Sequence, residues 1–199
     1  MKKLLVVLAS LLVAVSAHAQ FGVIAGITSS ATNLKDASAD VSNVSQYHAG
    51  LTYKLGVGNI FAVQPSILYN VKGAKISNLP DEPEMDFKTG YIEIPVQIQL
   101  GLGVGDIFRV YGFAEPFLGY ALTNQVSGAT VKDNWEYVKN RAEYGVSLGG
   151  GLELIKHVQV SVKYFWNLGE AYKIDLGAAS SKVAEGACNG IAASVAILF

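Results

Sequence analysis

Glu93, Glu115, Glu143 and Glu153, together with Arg109, Arg141, Lys54 and Lys163, fall on the polar side of segments whose other side is aliphatic. Two carboxylates held side by side must share a proton or recruit a cation. A set of this kind can therefore act as an acid–base pair or as a path for a cation. It can also be an inert plug of salt bridges. If the turn after Leu102 centres on Val104, Glu93 and Glu115 stand opposite each other on adjacent strands. Lys163, at similar depth, is then the cation expected between them. Enclosed charges must be paired and hydrogen-bonded. The candidate site is accordingly Glu93, Arg109, Glu115, Glu143, Glu153 and Lys163, and it is expected to be a structural charge network.

Other residue types point more weakly to chemistry. His48 and His157 are expected near opposite ends of the fold, too far apart at ~3.3 Å per strand residue to share a metal. His48 could serve as the base of an acyl transferase or lipase only with a Ser or Asp brought beside it, and no motif announces one. Gly101, Gly103 and Gly105 mimic a nucleotide loop, but a strand follows where the fingerprint needs a helix. Gly149-Gly150-Gly151 lies within a strand, where it is expected to permit curvature or close approach. Asp81, Glu82, Glu84 and Asp86 form an acidic cluster without the ligand order of a calcium hand, and are expected to be solvated. Cys188 is the only cysteine, so no internal disulfide forms. No catalytic, cofactor-binding or metal residue is assigned, and no enzyme activity is expected.

The elements that must position these residues have period two, not 3.6. Ile92, Ile94, Val96, Ile98, Leu100 and Leu102 oppose Glu93, Pro95, Gln97 and Gln99. Val158, Val160, Val162, Tyr164, Trp166 and Leu168 oppose His157, Gln159, Ser161, Lys163, Phe165 and Asn167. Asn59–Lys72 and Arg141–Ile155 alternate in the same way, and weaker segments bring the expected strands to about eight. Tight turns at Gly56–Asn59, Gly103–Asp106 and Ile155–His157 alternate with long polar stretches at Ser29–Ser45, Gly73–Asp86, Thr123–Asn140 and Gly169–Asn189. Aromatic residues concentrate on the aliphatic face in two rings. Phe21, Tyr53, Phe61, Phe108 and Phe199 lie near the short turns, and Tyr47, Tyr69, Tyr120, Tyr144, Tyr164 and Trp166 near the long loops. Sorted loop lengths and two aromatic girdles define a closed antiparallel transmembrane β-barrel, all-β, with periplasmic turns and extracellular loops. A barrel of about eight strands has an interior filled by side chains, which disfavours an open pore.

The ends and the composition agree with export. Lys2 and Lys3, the apolar run Leu4–Val15 and Ala17-His18-Ala19 read as a signal peptide over 1–19, cut before Gln20. Residues 20–199 then form one barrel domain. Removing Lys2 and Lys3 leaves 13 basic against 16 acidic residues, which gives no case for nucleic acid as a partner. Charged residues make up 16% of the chain, below the usual ~25%, and no later apolar run is long enough for a spanning helix. The last strand alternates Ala193, Val195, Ile197 and Phe199 to an aromatic terminus, the form that the barrel assembly machinery reads.

Val63-Gln64-Pro65-Ser66-Ile67-Leu68-Tyr69-Asn70-Val71-Lys72-Gly73-Ala74-Lys75 resembles the third-strand signature of the PorT-type outer membrane protein beta-barrel domain family. Tyr91-Ile92-Glu93-Ile94-Pro95 resembles that family's next strand, and His48–Leu51, Tyr111–Tyr120 and Gly145–Gly151 fit its pattern less specifically. Ser66 replaces an acidic residue usual in the family, and Glu115 stands where Gly is more frequent. The resemblance implies an outer-membrane barrel and assigns no activity. Three roles stay open: a structural or interaction barrel, a subunit of a secretion or envelope complex, and a lipid-modifying enzyme. The first is preferred. Its expected partners are outer-membrane lipid, lipopolysaccharide and envelope proteins, with no cofactor.

Overall fold

A computed structural model describes residues 19–34, 40–77, 85–105, 107–127, 141–169, 172–175 and 183–199. The expected signal segment apart from Ala19, and Asp81, Glu82 and Glu84, lie outside them. Among the described residues nine strands form one antiparallel sheet: β1 (Ala19–Leu34), β2 (Asp40–Val57), β3 (Phe61–Ser77), β4 (Met85–Val104), β5 (Phe108–Ser127), β6 (Ala142–Leu154), β7 (Val158–Asn167), β8 (Tyr172–Asp175) and β9 (Val183–Leu198). Each strand pairs with the next from β1 to β7, β7 pairs with β9, and β9 closes on β1. The four-residue β8 pairs with the start of β9 on the edge that β7 occupies further along. It continues the β7 column, so the closed wall has the expected eight strands.

Alternation decides what each residue faces. Ile92, Ile94, Ile98, Leu100 and Leu102 are exposed, whereas Glu93, Gln97 and Gln99 between them are buried. The wall is thus inverted relative to a soluble fold, with its apolar stripe outside. A continuous apolar belt of this kind is stable only against lipid. The aromatic rings behave as expected. Phe21, Tyr53, Phe61, Phe108 and Phe199 are exposed near the short turns, and Tyr47, Tyr120, Tyr144, Tyr164 and Trp166 near the other end. Tyr47 packs on Tyr69 with centroids 6.4 Å apart, and Tyr164 on Trp166 at 4.7 Å. Phe61 to Tyr69 on β3 spans about 20 Å along the barrel axis at a typical strand tilt, close to the hydrocarbon band.

All four expected loops are shorter than the polar stretches suggested, the last because β8 and the start of β9 fall inside Gly169–Asn189. Backbone pairing continues to Leu34 and from Asp40, to Ser77 and from Met85, and to Ser127. Outside the bilayer a ladder no longer needs apolar side chains on one face, so the hydropathy signal stops before the hydrogen bonds do. The wall also parts there. The β1–β2 ladder ends at Ser30–Val44, beyond which β1 stays with β9 and β2 with β3. At the opposite end the tight turns use left-handed backbone at Gly58 and Gly105 (φ 59° and 58°), which glycine adopts freely.

Candidate functional site

All six candidate residues line the lumen. Glu93, Arg109, Glu115, Glu143 and Glu153 are buried, and Lys163 is partly buried. They form three clusters at successive depths. Nearest the short turns, Lys54 Nζ donates to Glu153 Oε1 at 2.6 Å, and Gln159 Nε2 donates to Glu153 Oε2 at 2.8 Å. Arg109 Nη1 donates to Gln99 Oε1 at 2.9 Å and reaches Glu153 Oε2 at 3.4 Å. Gln99 passes the chain on to Gln64 and Gln97 at 2.8 and 3.0 Å. At mid-depth Lys163 pairs with Glu115, which also accepts from Ser147 Oγ at 3.3 Å.

The third cluster, toward the extracellular end, centres on Lys72. Its ammonium lies 2.6 Å from Glu93 Oε1 and 2.9 Å from Glu143 Oε1. It also lies 4.6, 4.8 and 5.5 Å from the ring centroids of Phe117, Phe165 and Tyr91. Rings facing a desolvated cation add to its stabilisation. Asn70 donates to Glu93 at 3.1 Å and Asn167 donates to Glu143 at 2.7 Å. Every carboxylate here therefore has an amide as well as an ammonium, which is what a buried ion cluster requires.

Two glycines bring groups together across an intervening strand. Gly119 pairs with Glu93 on one side and Glu143 on the other. A Cβ there would lie 2.7 Å from Glu143 Cγ and 3.1 Å from Glu93 Cγ. The absent side chain is the space into which both carboxylates turn. Gly26 does the same between His48 and Ser194, its partners on β2 and β9. Ser194 Oγ lies 2.8 Å from His48 Nε2, and His48 Nδ1 lies 2.9 Å from Thr28 Oγ1. Thr28 donates to Asn70 Oδ1 at 3.0 Å, so its oxygen accepts from Nδ1–H. Nε2 is then the acceptor for the Ser194 hydroxyl. The serine that His48 needed is thus present. Both side chains are buried in the lumen, and their bonds complete a relay running to Glu93.

Several expectations are corrected. Val104 pairs with Phe108, so Glu93 falls opposite Gly119 and not opposite Glu115. The carboxylate that converges with Glu93 is Glu143, and the cation between them is Lys72, while Lys163 serves Glu115. Arg141 is exposed ahead of β6 rather than enclosed. Lys72 was legible as a lumen residue from its phase with Gln64, Ser66 and Asn70, but not as a cluster centre. Charge balance could have found it: without Arg141, the enclosed carboxylates need one more cation. The glycines of β6 admit rings. A Cβ on Gly151 would lie 2.5 Å from Tyr111 Cζ, and one on Gly149 would meet the Phe113 ring. Cys188 lies in β9, its backbone paired with Thr32. Among the described residues no group of His, Cys, Asp and Glu could hold a metal ion.

A family model for the outer membrane protein beta-barrel domain matches residues 14–173. No match is found among curated proteins. Of solved structures, OprG from Pseudomonas aeruginosa is 12% identical over 91% of this chain and 94% of its own, with a TM-score of 0.51. Neisserial surface protein A is 13% identical over 90% and 97%, with a TM-score of 0.48. Ail, the attachment invasion locus protein of Yersinia pestis, is 13% identical over 90% and 98%, with a TM-score of 0.46. At these identities the likeness concerns the fold alone. The family match spans most of the chain and agrees with the closed eight-strand wall, and the chain belongs to the outer membrane protein beta-barrel domain family and resides in the outer membrane.

Proposed function

We propose that this barrel has a structural or interaction role at the cell envelope, without catalysis and without conducting solutes. The observation that carries the reading is the lumen itself, which side chains from different walls cross at each of three depths. Lys54 on β2 meets Glu153 on β6, Lys163 on β7 meets Glu115 on β5, and Lys72 on β3 meets Glu143 on β6. Opening a path would expose or separate these pairs, and an uncompensated buried charge is costly. The partners are outer-membrane lipid and lipopolysaccharide along the belt, and envelope proteins at the extracellular hairpins. Export through the leader over 1–19 and recognition of the Phe199 strand by the assembly machinery complete the reading. The motifs Val63–Lys75 and Tyr91–Pro95 favour a PorT-type kinship, which leaves membership of a secretion or envelope complex as the second role. Reconstitution in planar bilayers tests the closed lumen. We expect no discrete conductance steps; stable steps that recur with purified protein would refute it.

A further inference from the structure

Leu55-Gly56-Val57-Gly58-Asn59-Ile60-Phe61-Ala62-Val63 and Leu102-Gly103-Val104-Gly105-Asp106-Ile107-Phe108-Arg109-Val110 repeat one sequence, differing only at Asn59/Asp106 and Ala62/Arg109. The repeat builds the β2–β3 and β4–β5 turns. Gly58 and Gly105 take the same left-handed backbone in each, with φ of 59° and 58°. Turns in water are ordinarily built from polar residues and glycine. Here each turn ends on an isoleucine, Ile60 or Ile107, with 64% and 72% of its surface exposed, and each begins at an exposed valine, Val57 or Val104. Single exposed hydrophobes need no explanation. These four belong to adjacent turns, since Asn59 Nδ2 donates to Gly105 O at 2.8 Å. Their patch is continuous with the lipid belt, because Val57 pairs with Phe61 and Val104 with Phe108, both girdle residues.

The turns also meet the condition that lipid sets for backbone. Away from water a carbonyl needs its partner within the protein. Asn59 O accepts from Arg109 Nε at 2.9 Å, Ile60 O from Gly101 N at 2.7 Å and Ile107 O from Ile155 N at 2.8 Å. Gly105 O has the Asn59 amide. We propose that the β2–β3 and β4–β5 turns lie in the periplasmic leaflet of the outer membrane, with Val57, Ile60, Val104 and Ile107 inserted at the boundary between headgroups and acyl chains. Interfacial segments hold a lipid surface by burying apolar side chains at this depth. The partner of these turns is therefore phospholipid, and the extracellular hairpins are left for envelope proteins. The proposal rests on the lipid-facing belt and extends it past the girdle. The β6–β7 turn lacks the repeat and is outside it.

Depth-dependent quenching tests this. Ile60→Cys, Ile107→Cys and Val162→Cys, each in a Cys188→Ser background, are labelled with bimane and refolded into phosphatidylcholine vesicles. Val162 is the belt reference, on the outer face of β7. Its probe should be quenched by a nitroxide at the lipid chain end. Probes at the two turns should be quenched by a nitroxide near the ester linkages. Iodide, present on both sides of the membrane, should quench them several-fold less than it does on the urea-unfolded chain. Full iodide quenching at either turn position, with Val162 still in lipid, overturns the proposal and leaves the belt standing. A Val162 probe that no lipid nitroxide reaches overturns both. The variant combining Ile60→Asn and Ile107→Asn carries no probe and should lower the urea midpoint for unfolding from vesicles. In water these positions would accept asparagine without loss, so an unchanged or raised midpoint would also overturn the proposal.

Discussion

At the scale of single residues, Lys72 holds two carboxylates that would otherwise repel each other. Replacing it with Met keeps the aliphatic stem against Tyr91, Phe117 and Phe165 but leaves Glu93 and Glu143 facing each other. Removing one partner of a buried ion cluster costs about 3–5 kcal/mol, so the urea midpoint for unfolding from lipid vesicles should fall markedly in Lys72→Met. Adding Glu143→Gln to that variant should recover part of the loss, because it deletes one uncompensated charge. Strict additivity of the two losses would show that the three groups are not coupled. The membership of this lumen network was largely legible in the sequence, since period two fixes the face of every residue. The pairing was not. A register sliding by four residues, from Glu93 opposite Glu115 to Glu93 opposite Gly119, keeps every side chain on its own face. Alternation is blind to such a slide, and only the hydrogen bonds of the β4–β5 turn resolve it. Gly26 and Gly119 were equally hidden, because what they contribute is empty space between residues on flanking strands.

Elements show a different conflict between local preference and the fold. The β6–β7 turn closes with His157 N donating to Leu154 O at 3.1 Å. Its two central residues, Ile155 and Lys156, have φ of 52° and 60°. Positive φ at both positions is the two-residue hairpin pattern that favours Asn-Gly, and a β-branched residue is strained there. The isoleucine side chain is largely exposed, so little packing offsets the strain. Ile155→Asn should therefore stabilise the barrel by about 1 kcal/mol, read as a raised urea midpoint, whereas Ile155→Val should not. An equal response to both would mean that the turn holds no strain. The existence of this turn was legible from its position between two alternating runs. Its backbone hand was not, because Ile and Lys carry no turn signal. The ends of β1 to β5 on the extracellular side escaped for a related reason: polar strands outside the bilayer lack the alternation that identifies them.

For the whole molecule, the decisive quantity is where the hydrocarbon slab sits on the wall. Ile98 and Val104 are both on the outer face of β4, with 44% and 76% of their surface exposed. Ile98 lies midway along the strand between Ile92, which pairs with Tyr120, and Val104, which pairs with Phe108. The two aromatic girdles therefore put Ile98 near the bilayer midplane and Val104 at the periplasmic interface. A soluble barrel would treat both as surface positions, where substitutions change stability by no more than about 0.5 kcal/mol. In a bilayer the cost of arginine depends on depth, about 2–4 kcal/mol at the midplane and about 0–1 near the interface. Ile98→Arg should thus lower the unfolding free energy in lipid vesicles by several times as much as Val104→Arg. Both variants should retain the closed wall, because neither residue touches the lumen clusters. Equal costs would displace the slab from the girdles.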